Sequence, residues 1–255
     1  AAFEASQKIE SGVTVTDAAY GGVPCIVCAP ASPQAAVFYL HGGGFRMGHP
    51  RGWSGFGSRL AAAANARVVL IDYRLAPEHP FPAGLHDALA AYDAVAKEAG
   101  GAIFVAGDSA GGGLAASMVV AGARPRGLIL LSPWLDLTLT AATWESRAVT
   151  DKLFALAAAR DAVQSYLQGH AADDPLVSPL LADLAGFPPV LIFAGGAESL
   201  LGDAIAFAER VALAGGTVEA HLVAGMQHVW PTLFPDLPES GAALDAMATF
   251  GRRSL

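Results

Sequence analysis

Short continuous apolar runs alternate with longer amphipathic stretches along most of the chain. Arg67-Val68-Val69-Leu70-Ile71-Asp72 and Gly127-Leu128-Ile129-Leu130-Leu131-Ser132 are apolar at every interior position. That is how strands covered on both faces of a parallel sheet look in sequence. Eight strand-like segments are legible, at about 13–18, 23–29, 35–40, 67–72, 102–107, 127–132, 189–194 and 217–223. Helical stretches fall between them at about 54–64, 84–99, 109–122, 200–215 and 240–253. This alternation predicts an α/β fold, an eight-stranded, mostly parallel sheet flanked by helices. Only Gly21-Gly22 separates the first two strands, so they are expected to form an antiparallel hairpin at the sheet edge.

One interval breaks the rhythm. About fifty residues separate the strand near 130 from the strand near 190, more than a simple crossover needs. The interval holds a helix-like stretch from Thr150 to Gln168, then Asp173-Asp174-Pro175 and Ser178-Pro179. An insertion of about 139–187, between strands six and seven, would lie over the C-terminal strand ends, where open α/β sheets bind ligands. It is read as a cap. With no internal repeat and no low-complexity tail, residues 1–255 are read as a single domain.

Composition narrows the partners. The hydrophobic fraction is 53%, inflated by alanine, yet no apolar run reaches the ~18 residues of a membrane span. A formal charge of −8 argues against nucleic acid. The opening residues, Ala1 to Lys8, lack the charged start and apolar centre of a secretory leader. Cys25 and Cys28 are three apart within the strand 23–29, so they should point to opposite faces. That geometry suits neither metal chelation nor a disulfide, and both are read as packing residues in a reducing, cytoplasmic setting. No metal and no cofactor are expected.

The chemistry is concentrated at strand ends. Gly107-Asp108-Ser109-Ala110-Gly111 follows the apolar run Ala102-Ile103-Phe104-Val105-Ala106 and opens a helix. A strand that turns sharply into a helix exposes its turn residue above the sheet, and flanking glycines permit the tight backbone approach. Ser109 is the candidate nucleophile. A serine hydroxyl needs a base, an orienting acid and an oxyanion hole. His41-Gly42-Gly43-Gly44-Phe45 follows the strand Ala36-Val37-Phe38-Tyr39-Leu40, and such a glycine run can aim amides at a developing oxyanion. The expected donors are the amides of Gly42, Gly43 and Ala110.

His228, in Gly225-Met226-Gln227-His228-Val229-Trp230 after the last strand, is the expected base. His41 is read as a brace for the glycine loop. The acid should follow the strand Val190-Leu191-Ile192-Phe193-Ala194. Glu198 is the first carboxylate there, with Asp203 and Asp136 as alternatives. The side chain of Asp108 should point away from the serine.

Together with Asp72-Tyr73-Arg74-Leu75-Ala76-Pro77-Glu78, Ser132-Pro133-Trp134 and Asp174-Pro175-Leu176-Val177-Ser178-Pro179, these motifs resemble the hormone-sensitive-lipase-like, or family IV, bacterial carboxylesterases of the α/β-hydrolase fold. The resemblance runs from about residue 13 to the C-terminus. It implies that Ser109 attacks a short- to medium-chain ester, His228 takes its proton, and water releases the acyl-enzyme without a cofactor. It makes Arg74 and Glu78 a bracing ion pair and implies homodimers through an edge strand. Relatives more often carry an Asp-Pro-Leu acid motif where this chain has Glu198-Ser199-Leu200. They also carry a longer helical cap before the first strand, where this chain has about a dozen residues. A wide, open acyl pocket follows as an expectation, with Phe45, Trp53, Phe154 and Leu200 as wall residues. The same machinery would serve an amidase, deacetylase or lactone hydrolase. A ligand receptor on the same scaffold is the other alternative, although such receptors lose the catalytic histidine.

Overall fold

The structure is a computed structural model that describes residues 8–100 and 103–253. The leader expectation for Ala1 to Gln7 and the expected strand start at Ala102 lie outside the described residues. The described strands are β1 (Thr14–Tyr20), β2 (Val23–Ala29), β3 (Ala35–Leu40), β4 (Ala66–Ile71), β5 (Ile103–Asp108), β6 (Gly127–Leu131), β7 (Val190–Gly195) and β8 (Val218–Val223). They form one sheet in the order β1-β2-β4-β3-β5-β6-β7-β8. β1 and β2 make the expected antiparallel hairpin, and β2 is also antiparallel to β4. Every other pairing is parallel.

Helices cover both faces, which explains the unbroken apolar runs. Helices α1 (Ser54–Ala64) and α7 (Pro238–Arg253) lie on one face, where Phe56, Leu60 and Met247 pack with Tyr39 and Phe104. Helices α2 (Ala83–Glu98), α3 (Ala110–Val120) and α6 (Leu201–Leu213) lie on the other, where Leu85, Leu114 and Phe207 pack with Phe38 and Val105. Each fully buried aliphatic or aromatic side chain of this kind contributes roughly 1.5–3 kcal/mol. Cys25 and Cys28 divide between the two faces, as three-residue spacing in a strand requires. Both thiols are free and buried.

Between β6 and β7 run a short helix α4 (Thr143–Ser146), a helix α5 (Leu156–Leu167) and a 3-10 turn at Pro179–Leu181. The helix expected from Thr150 begins only at Leu156, because Asp151 captures the local backbone. Its Oδ1 accepts the amides of Leu153 and Phe154, both at 2.9 Å, in a turn that competes with helix. Another expectation is corrected at Arg74. Its guanidinium and backbone amide engage Asp87 of α2, with Nε and Nη2 each 2.8 Å from a carboxylate oxygen, rather than pairing with Glu78. The α2 helix folds back over the segment after β4 and presents Asp87 in a bidentate geometry that favours arginine. Among the described residues no helix is long and apolar enough to cross a membrane, and no cluster of metal-ligating side chains occurs.

Candidate active site

β5 ends at Asp108, and Ala110 is already helical, so Ser109 makes the whole turn between them. It does so at φ 53°, ψ −122°, a conformation that side-chain-bearing residues rarely adopt. Surrounding bonds hold it there: Ser109 donates its amide to Leu131 O at 2.8 Å and accepts from Trp134 N at 3.0 Å. A Cβ on Gly107 would strike the Gly111 carbonyl, and one on Gly111 would strike the Leu40 carbonyl. The two flanking glycines therefore permit the close approach of β5, β3 and the helix start.

His228 arrives on the loop after β8. Val229, at φ 50°, donates its amide to Ser132 Oγ at 2.9 Å, anchoring that loop to the end of β6. His228 Nε2 lies 2.9 Å from Ser109 Oγ, and Nδ1 lies 2.7 Å from Glu198 Oε2. The second oxygen of Glu198 accepts the Gly195 amide at 2.6 Å. All three side chains are buried, Glu198 completely. An acceptor at Nδ1 fixes the neutral ring with its proton there and leaves Nε2 to accept from the serine.

The alternative acids lie elsewhere. Asp203 Oδ2 accepts the amides of Leu135 at 2.9 Å and Asp136 at 3.0 Å, clamping the loop after β6. Asp136 accepts from the Thr138 and Thr140 hydroxyls. Asp108 is engaged by other partners: its Oδ1 accepts from Tyr39 Oη at 2.8 Å and Gly42 N at 3.0 Å. That last bond corrects the expected oxyanion donors. The Gly42 amide is committed to Asp108, whereas Gly43 and Gly44 line the space before Ser109 and their amides have no protein acceptor among the described residues. Ala110 opens α3, and the first amide of a helix has no intrahelical acceptor. His41 braces the loop, donating from Nδ1 to Gly42 O at 2.8 Å with its ring stacked 4.6 Å from Tyr73. Burial lowers its pKa to about 4, so it stays neutral.

A cavity of about 750 Å³ opens in front of Ser109 and His228, with Gly43, Gly44, Trp53 and Phe154 on its walls. Residues 37–232 match the family model of the alpha/beta hydrolase fold. The chain belongs to the α/β-hydrolase fold family. Within that family the hydrolase groups with hormone-sensitive-lipase-like carboxylesterases. It is 37% identical to an acetyl-hydrolase from Streptomyces hygroscopicus over 223 residues, covering 85% of this chain and 75% of that protein. It is 34% identical to an esterase from Acinetobacter venetianus, covering 87% and 76% of the two. A hormone-sensitive lipase from a metagenome library superposes with a TM-score of 0.95 at 35% identity, covering 100% of this chain and 91% of that one.

Two expected wall residues of the hydrolase are not at the cavity. Phe45 is 3% exposed and stacks on Tyr166 with ring centroids 4.0 Å apart, so it supports the glycine loop from behind. Leu200 is fully buried, in the turn that leads into α6. Trp53 and Phe154 do face the cavity, and Phe154 lies flat against His228 with centroids 5.6 Å apart.

Asp151 is the residue that sequence reasoning missed. While its Oδ1 organises Leu153 and Phe154, its Oδ2 accepts the amide of Ser199 at 2.8 Å. One buried carboxylate thus ties the segment carrying Phe154 to the loop carrying Glu198. An aspartate before a turn is legible in sequence, but its bond to a residue 48 positions away has no local signal.

Proposed function

We propose that this α/β hydrolase cleaves short- to medium-chain carboxylic esters through a Ser109 acyl-enzyme. One observation carries the reading: the hydrogen-bond line from Ser109 Oγ through the His228 ring to the buried Glu198 carboxylate. In this reading Ser109 attacks the ester carbonyl as His228 Nε2 takes its proton. The oxyanion meets the amides of Gly43, Gly44 and Ala110, where each good donor is typically worth about 10²–10³ in rate. His228 then returns the proton to the leaving alcohol. A water activated by the same ring next attacks the acyl group and frees the serine. Glu198 holds the tautomer and stabilises the imidazolium throughout.

The size and largely apolar walls of the cavity support modest acyl chains. A series of p-nitrophenyl esters from acetate to decanoate is expected to give its highest kcat/KM at the short to middle lengths. A steady climb to decanoate would reject that preference.

The pH profile tests the base. Burial pulls the His228 pKa down, while its bond to Glu198 and the charges of Glu198, Asp151 and Asp108 pull it up by more, so the net shift is upward. Nε2 serves as base only when the ring is neutral. The profile of kcat/KM is therefore expected to rise with pH through a midpoint above the ordinary imidazole value of about 6.5. A midpoint at or below that value would contradict the assignment.

Two finer features belong to the same reading. The outer edge of β8, with exposed Leu222, supports a homodimer through that strand. The two free thiols are in keeping with a reducing, cytoplasmic setting.

A further inference from the structure

The cavity in front of Ser109 is apolar over much of its wall, with Met47, Trp53, Leu153, Phe154 and Leu233 among its lining residues. Arg46 stands among them. Its Nε is buried and has no hydrogen-bond partner, and Arg46 makes no ion pair among the described residues. The neighbouring polar groups do not answer it. His49, also on the wall, faces Asp72 at 3.7 Å, and His228 is held by Glu198. The Asp108 carboxylate is held by Tyr39 and the Gly42 amide. Arg46 is thus a cation on the cavity wall with no counter-ion among the described residues, and an anionic group entering the cavity would supply one.

The position of Arg46 is set by the same turn that holds the glycine amides. Its own amide donates to Gly43 O at 3.1 Å, and Phe45 before it is pinned at φ 61° against Tyr166. The stem of Arg46 thus starts from a fixed point beside the proposed oxyanion site. A planar guanidinium binds a carboxylate through two parallel bonds, and apolar surroundings strengthen that attraction.

We propose that the ester taken by this site carries a carboxylate, in its acyl or its alcohol part, and that Arg46 binds it. The proposal rests on the ester-hydrolase reading above. Two matched pairs test it: mono-p-nitrophenyl adipate against p-nitrophenyl heptanoate, and p-acetoxybenzoate against its methyl ester. Wild-type enzyme is expected to favour the anionic member of at least one pair. Arg46→Gln should lower that ratio of kcat/KM by about tenfold or more, and Arg46→Lys should retain part of it. Ratios that are the same in wild type and Arg46→Gln, or a wild-type preference for the neutral member of both pairs, overturn the proposal. Should Arg46→Gln fail to fold, wild-type inhibition decides. Adipate is expected to compete with p-nitrophenyl butyrate while hexanediol does not, and equal inhibition by the two overturns the idea. Absence of turnover on every ester would instead bring down the ester-hydrolase reading, and this proposal with it.

Discussion

Ser109→Ala is expected to abolish ester turnover and labelling by a fluorophosphonate while leaving the fold in place. Loss of a triad serine costs on the order of 10⁶ in kcat, equivalent to about 8 kcal/mol of barrier. The fold should tolerate the change because the hydroxyl bonds to His228, and the turn is held by backbone bonds to Leu131 and Trp134. Alanine bears the same Cβ at φ 53°, so the strain of the turn is unchanged. Melting curves of the two proteins should therefore nearly coincide. Labelling that persists in Ser109→Ala would mean that a different hydroxyl is the nucleophile.

The second large effect is expected at Glu198. Glu198→Gln should lower kcat by about 10⁴, the size of loss seen when a triad acid becomes an amide and the imidazole takes the wrong tautomer. Its side-chain NH₂ would also face either His228 Nδ1 or the Gly195 amide, both of which now need an acceptor. Asp203→Asn should behave differently. Asn retains an acceptor for the Leu135 and Asp136 amides, so turnover should stay within about tenfold of wild type. The pH dependence of stability should also separate the two. Burial pushes the Asp203 pKa up to about 7, partly offset by its two amide bonds. Its folded-state value lies above that of the unfolded chain, so its contribution is full in acid, falls as pH rises above the ordinary carboxylate value of about 4, and is lost by about pH 7. Asp203→Asn should flatten the fall in Tm between about pH 4 and pH 7 that this group produces. Turnover lost in Asp203→Asn but kept in Glu198→Gln would reverse the assignment of the acid.

Much of the scaffold was legible because parallel strands buried on both faces cannot hide their pattern. Val68-Val69-Leu70-Ile71 and Leu128-Ile129-Leu130-Leu131 announce themselves, and the strand ends then place Ser109, Glu198 and His228 on one rim. What sequence could not supply was the destination of single hydrogen bonds. The three glycines of the run look alike in sequence, and only the Asp108 carboxylate distinguishes the Gly42 amide from those of Gly43 and Gly44. Phe45 and Leu200 are apolar and close in sequence to the glycine loop and to Glu198, but burial of each side chain takes it off the wall. The region between β6 and β7 was the least legible. Asp151 overrides local helix propensity there through bonds to three amides, one of them on the far side of β7.

The two sulfurs of β2 have a practical consequence for labelling. Burial keeps Cys25 protonated up to about pH 11 and Cys28 up to about pH 12, so neither offers a thiolate to an alkylating reagent near neutrality. A cysteine engineered in place of Met47, which is 62% exposed at the cavity mouth, would then take a maleimide dye in preference to both. The native chain is in this sense already a background-free scaffold for a fluorescent reporter beside its own substrate entrance.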